Sequence, residues 1–133
     1  MPRDDRTYIR LHDGMPDHPK IEGLSDAAFR LLMRVWCRCH VYRTDGAITQ
    51  AWWDKQKPRA RQELLDTRLV EPGLLPGTLI AHDYDQHQDT AAEIEQFKER
   101  KRDAGAEGAH KRWHVKRGIR DPACEFCTQA AAR

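Results

Sequence analysis

The chain has 133 residues, 39% of them apolar and 33% charged, with a formal net charge of +2. That length suits one compact domain with an appendage, and the polar balance leaves part of the chain outside any core. No apolar run approaches the roughly 18 residues a membrane span needs, and the first residues lead into no apolar segment of secretory type, so a cytoplasmic protein with no membrane partner is expected.

In chain order, Tyr8-Ile9-Arg10-Leu11 reads as a short strand, closed by Asp13-Gly14, Pro16 and Pro19. A helix starts at Ser25, whose oxygen suits an N-cap, with Asp26 favoured by the dipole in the first turn. Phe29, Leu32, Trp36 and Cys39 recur at steps of three and four, flanked by Ala28, Leu31 and Val35, which makes a wide core-facing stripe. Arg30, Arg34 and Arg38 fall on one outer face. The helix ends near Tyr42, before the turn Thr44-Asp45-Gly46. Ala47-Ile48 gives one short strand pairing. Thr49 caps a brief helix through Trp53, and one ring of Trp52-Trp53 belongs in the core while the other is free to anchor an interface. Pro58 suits the first position of a third helix, reaching about Thr67 with Ala60 and Leu64 inward. Leu74-Leu75, the turn Pro76-Gly77 and Thr78 to His82 read as a hairpin.

Strand, helix, short strand, helix, turn, helix, hairpin is the plan of a winged helix-turn-helix. Residues 1–87 are therefore expected to form a winged-helix DNA-binding domain, and residues 88–133 a basic helical tail ending in a small zinc knuckle. The fold class is α+β, mainly helical. From Gln88 the pattern is helical again, with Gly105 and Gly108 expected to weaken or break the helix.

Charge separates the two parts. Residues 1–87 carry 13 Lys/Arg and 13 Asp/Glu, whereas residues 98–120 carry nine basic and three acidic residues. A basic segment beside a neutral domain suits a polyanionic partner. In a helix-turn-helix the N-terminal part of the third helix enters the major groove. Gln56, Arg59 and Gln62 are types that address base edges; Lys55, Lys57 and Arg61 lie beside them. On the tail, Lys98, Arg100, Lys101, Arg102, Lys111, Arg112, Lys116 and Arg117 would meet phosphates. A solvated charged face is the plainer alternative for any such run.

The sharpest chemical pattern is His110-x₃-His114-x₉-Cys124-x₂-Cys127. One helical turn separates the two imidazoles, and the Cys-x₂-Cys knuckle presents two thiolates to one ion. Two nitrogens and two sulfurs suit tetrahedral Zn²⁺, one per chain and structural, since four protein ligands leave no open position. Asp121 is the alternative should His110 not ligate. A turn from Arg117 to Pro122 must bring the knuckle back, and Trp113, Ile119 and Phe126 would form a miniature core around the ion. Cys37 and Cys39 point about 200° apart on a helix, so that pair reads as packing. His12, His18, His82 and His87 are scattered and read as surface or hydrogen-bonded histidines.

Several of these stretches together resemble the replisome-organiser-like winged-helix proteins of actinobacterial phages and prophages: Tyr8 to Leu11, Asp17-His18-Pro19-Lys20-Ile21, Leu24 to Leu31, Leu69-Val70-Glu71-Pro72-Gly73-Leu74, and the tail Ala109 to His114 with Pro122 to Cys127. The resemblance implies DNA binding in phage replication initiation or gene control, near the bacterial nucleoid, and no catalytic residues. No phosphate-binding loop, nucleophile elbow or H-E-x-x-H is present, so no enzyme is expected. The expected partner is double-stranded DNA, with host or phage replication or transcription proteins as further partners and the oligomeric state left open. The alternative is a non-enzymatic adaptor that recruits or inhibits a host factor through the same scaffold.

Overall fold

The computed structural model describes residues 7–131. The chain divides into two compact units, Met1–Ala91 and Ala92–Arg133. Among the described residues no helix is long and apolar enough to cross a membrane.

The first unit is α+β. It contains helices α1 (Pro19–Glu22) and α2 (Asp26–Val41), strand β1 (Ala47–Thr49), helices α3 (Gln50–Asp54) and α4 (Pro58–Asp66), strands β2 (Val70–Pro72) and β3 (Thr78–Ala81), and helix α5 (Tyr84–His87). The start signals expected from the sequence operate as such: Ser25 accepts the Ala28 N–H ahead of α2 and Thr49 accepts the Trp52 N–H ahead of α3. Pro58 opens α4, where its missing N–H costs nothing. The stripe on α2 buries Ala28, Leu31, Leu32, Val35, Trp36 and Cys39 against Ile48, Trp53, Ala60, Leu64, Val70 and Leu79. Each large side chain of this set removes about 1.5–3 kcal/mol worth of apolar surface from water.

The sheet has the order β1-β3-β2, antiparallel throughout. Ile48 faces Leu79 and Val70 faces Ala81, all four buried, while Ile80 between them is exposed. Asp45 and Gly46 both adopt positive φ to turn the chain into β1. A Cβ on Gly46 would lie 2.9 Å from the Tyr84 Cβ, so this turn accepts only glycine.

Three local expectations are corrected here. Tyr8–Leu11 is not a strand: the Gln88 side chain takes the place of a strand partner, accepting the Arg10 N–H at 2.7 Å and donating to the Arg10 carbonyl at 2.6 Å. The outgoing strand of the hairpin is Val70–Pro72, not Leu74-Leu75. Gly73 N–H bonds the Thr78 carbonyl and closes the ladder, leaving both leucines exposed at the tip. Gln88 does not begin a helix; it is extended and buried, and the next helix starts at Ala91. Contacts hold the first unit together through that point, since Asp89 pairs with Arg10 and Asp45 accepts the Ala91 N–H.

The second unit contains α6 (Ala91–His110), a π-helical turn over Lys111–Val115, and α7 (Glu125–Ala131). Gly105 and Gly108 do not break α6. Both stand in open space, and the strong helix formers around them offset the roughly 1 kcal/mol that each costs relative to alanine. No residue of α6 is buried, so it carries no core of its own.

Candidate metal centre and nucleic-acid interface

The helix that carries His110 and His114 widens into the π turn right after His110, where Lys116 N–H bonds the Lys111 carbonyl. It then stops in a Schellman arrangement: Ile119 N–H bonds the His114 carbonyl and Gly118 N–H bonds the Val115 carbonyl. Gly118 supplies the required left-handed residue at φ +65°. Asp121 starts the return. Its carboxylate accepts the Ala123 N–H at 2.9 Å and its carbonyl accepts the Cys124 N–H at 3.0 Å, which sets the knuckle ahead of α7.

The result is one cluster of His110, His114, Cys124 and Cys127, whose ligand atoms all lie within 4.8 Å of one another, close enough to bind a metal ion. His110 Nδ1 lies 3.4 Å from His114 Nδ1, from Cys124 Sγ and from Cys127 Sγ, and Cys127 Sγ lies 3.4 Å from His114 Nδ1. Asp121 does not replace His110 in this cluster. Its Oδ2 stands 3.9 Å from His114 Nε2, on the far side of the ring from the cluster nitrogen. At that distance the carboxylate faces the ring edge without a hydrogen bond to it, and the sequence offered this neighbour only as an alternative ligand. The expected miniature core is corrected in composition. Phe126 does pack at the site, its ring 5.6 Å from that of His110, and Cys127 is buried, but Trp113 and Ile119 remain half exposed. Were an ion bound, four ligands from one short segment would fix the chain with little apolar area.

The other cysteine pair diverges as the helical geometry requires: Cys37 is exposed and Cys39 buried, with burial pushing the Cys39 thiol up. His12 accepts the Gly14 N–H, His18 caps α1, and His82 sits between Glu71 and Asp83.

On α4 and the turn before it, the basic and amide residues part into two groups. Lys55, Lys57, Arg59 and Gln62 are exposed. Gln56 and Arg61 are engaged inside the protein. The Gln56 side chain accepts from Arg34 at 2.8 Å and donates to the Trp52 carbonyl; Arg61 donates through Nε to the Gln56 carbonyl at 3.1 Å and pairs with Asp54. These two residues shape the α3–α4 turn. A groove of about 250 Å³ beside it is lined by Arg30, Leu31, Arg34, Gln56, Lys57 and Ala60. The Arg34 and Arg38 guanidiniums lie 5.7 and 5.0 Å over the Trp52 ring, and Trp53 is the core member of that pair. In the second unit Lys98, Arg100, Lys101, Arg102, Lys111, Arg112, Lys116 and Arg117 are all exposed. Only weak pairs restrain Arg102, with Glu95, and Lys111, with Glu107.

Comparison with protein-family models, with curated proteins and with solved structures finds no match to this chain.

Proposed function

We propose that this chain is a double-stranded-DNA-binding protein built on a winged helix, with a structural zinc ion in its C-terminal unit. The observation that carries the reading is the exposed set Lys55, Lys57, Arg59 and Gln62 at the start of α4. It stands behind α3 in a unit whose order α2-β1-α3-α4-β2-β3 and sheet order β1-β3-β2 fit a helix-turn-helix followed by a β-ribbon. In this reading α4 enters the major groove, where Arg59 and Gln62 address base edges and the lysines address phosphates. Gln56 and Arg61, spent on the α3–α4 turn, hold α4 at its angle instead. The basic residues of α6 add phosphate contacts. The role is binding and not catalysis, and the resemblance to replisome organisers favours phage or prophage replication initiation or gene regulation in the bacterial nucleoid.

Zinc is the ion the cluster suits best. A tetrahedral Zn²⁺ with bonds of about 2.0–2.1 Å to nitrogen and 2.3 Å to sulfur separates two nitrogens by about 3.4 Å and a nitrogen and a sulfur by about 3.6 Å. The 3.4 Å spacings around His110 Nδ1 match that pattern. Two thiolates also select against magnesium and calcium, which take oxygen ligands.

The test is a gel shift of the full chain on mixed-sequence duplex across a salt series. The reading requires affinity that falls steeply and linearly in log–log form; binding that ignores salt, or no binding at low salt, overturns it. A second reading, a protein-interaction adaptor, is favoured by one observation. The hairpin tip carries Leu74 at 104% and Leu75 at 71% relative exposure, and residues 69–81 contain no lysine or arginine, so the tip offers a partner apolar surface and no positive charge. Salt-insensitive capture of a host protein that is lost in Leu74→Asp, with no duplex shift, selects that reading.

A further inference from the structure

The metal-held segment carries a second feature that duplex phosphates do not use. Trp113 stands on the π turn with 48% of its surface exposed, and the Arg117 guanidinium lies 4.3 Å from its ring centroid. Val115 and Ile119 close by are exposed at 63% and 51%. Between residues 108 and 120 the chain has Lys111, Arg112, Lys116, Arg117 and Arg120 and no acidic residue. A large aromatic ring left in water within a purely cationic segment is the combination that binds unpaired nucleotides: the cations track the backbone while the ring takes a base face. A duplex gives such a ring nothing to stack on, because its base faces are already stacked and only edges are open in the grooves. Five cations against no acidic residue from 108 to 120, with Glu107 beside them pairing to Lys111, favour a polyanion over a mixed protein surface.

We infer that the metal-held unit is a single-stranded nucleic-acid site in which Trp113 stacks on an unpaired base and Arg112, Lys116 and Arg117 hold the flanking phosphates. The inference rests on the metal-held fold of the proposed reading but not on duplex binding by α4. In the complex the Arg117 guanidinium stays against the indole and the base covers the ring surface now in solvent. A protein with one site for duplex and another for unpaired strand binds where the two meet, at an opened or partly unwound duplex.

The test uses the full, zinc-loaded chain and fluorescein-labelled oligo(dT), read by anisotropy at low salt, with cobalt-substituted protein as a check that each variant keeps its metal site. Trp113→Ala and Trp113→Leu should each bind oligo(dT) about 5- to 150-fold more weakly, the loss expected for one stacked base, and Trp113→Phe should stay near wild type. The leucine variant keeps apolar bulk, so its loss isolates the ring. Mixed-sequence duplex should bind all three variants as well as wild type. The wild-type chain should bind an abasic oligonucleotide of equal length more weakly than oligo(dT) by the same factor. That comparison needs no substitution and stands even if a variant loses metal. Equal affinity for abasic and dT strands, no binding of oligo(dT) at low salt, or displacement by polyglutamate that depends on Trp113 would overturn the inference. Binding of oligo(dT) without binding of duplex would sustain it and sink the duplex reading instead.

Discussion

The Ser25 hydroxyl serves two partners at once: it accepts the Ala28 N–H that starts α2 and donates to Glu63 Oε2 on α4 at 2.5 Å. The Ser25 backbone N–H completes a fork onto the other oxygen of the same carboxylate at 3.0 Å. These two bonds hold the Glu63 carboxyl below its ordinary range. A carboxyl so depressed adds stability that is fully present above its unfolded value, about 4.3, and is lost as pH falls through the folded value. Thermal melts between about pH 5 and pH 3 should therefore show wild type losing more than Glu63→Gln, which has no charge to lose. Parallel curves for the two proteins would show that the fork contributes nothing. Ser25→Ala, which removes the cap as well, should cost about 1 kcal/mol at neutral pH.

Arg59 and Arg61 should separate binding from folding. Arg59→Ala removes an exposed guanidinium and should weaken duplex binding by about 1–3 kcal/mol at unchanged melting temperature. Arg61→Ala loses the bond to the Gln56 carbonyl and should instead destabilise the first unit by about 0.5–1.5 kcal/mol. Measured side by side by denaturation and gel shift, the opposite split would place Arg61 on the DNA and Arg59 in the scaffold.

The metal prediction is stoichiometric and local. Protein purified without chelator should hold about one zinc per chain, and cobalt in its place should give the thiolate charge-transfer bands of a site with two sulfurs. Chelation, or Cys124→Ser, should abolish folding of residues 110–127 while the first unit keeps its melting transition, because it supplies no ligand. Elemental analysis that finds no zinc, or a first unit that melts on chelation, would refute this.

Gly118 offers a test that touches no ligand. A side chain there meets nothing within 4 Å, so the whole effect of Gly118→Ala is the conformational cost of φ +65°. At about 1–2 kcal/mol this should weaken zinc affinity about 5- to 30-fold, with Gly118→Asn between alanine and wild type. Competition with a chromogenic chelator measures it, and an alanine variant as tight as wild type would show that the turn forms in another way.

What the sequence made legible was what short-range chemistry decides. Ser25 and Thr49 mark helix starts because each accepts an N–H three residues on, and Pro58 because its fixed φ and missing N–H suit a first helical position; the His110/His114 and Cys124/Cys127 spacings show through because each pair spans one turn. The misses are long-range or compensated. Tyr8–Leu11 has the composition of a strand, but its backbone partner is a glutamine side chain 78 residues away, a choice no local pattern encodes. Leu74-Leu75 has the apolar character of a strand, yet the pairing of Val70 with Ala81 sets a register that ends at Pro72, and no burial pulls the two leucines inward. Gly105 and Gly108 mark a break by propensity, which the surrounding Ala, Glu, Lys and Arg outweigh. The structural use of Gln56 and Arg61 was hidden for a related reason: a side chain that could read a base can equally bond a carbonyl in its own turn.

All four residues of the candidate metal cluster lie between residues 110 and 127. Closing so short a loop costs little chain entropy, and that cost rises only slowly with length. Metal uptake by this cluster would therefore wait on no distant contact, since residues 110–127 hold all four candidate ligands. The first unit must instead join β1 to β3, whose partners lie 29 to 33 residues apart, before its sheet exists, a slower search. The order of maturation would then run against the order of synthesis, residues 110–127 locking before the unit made ahead of them.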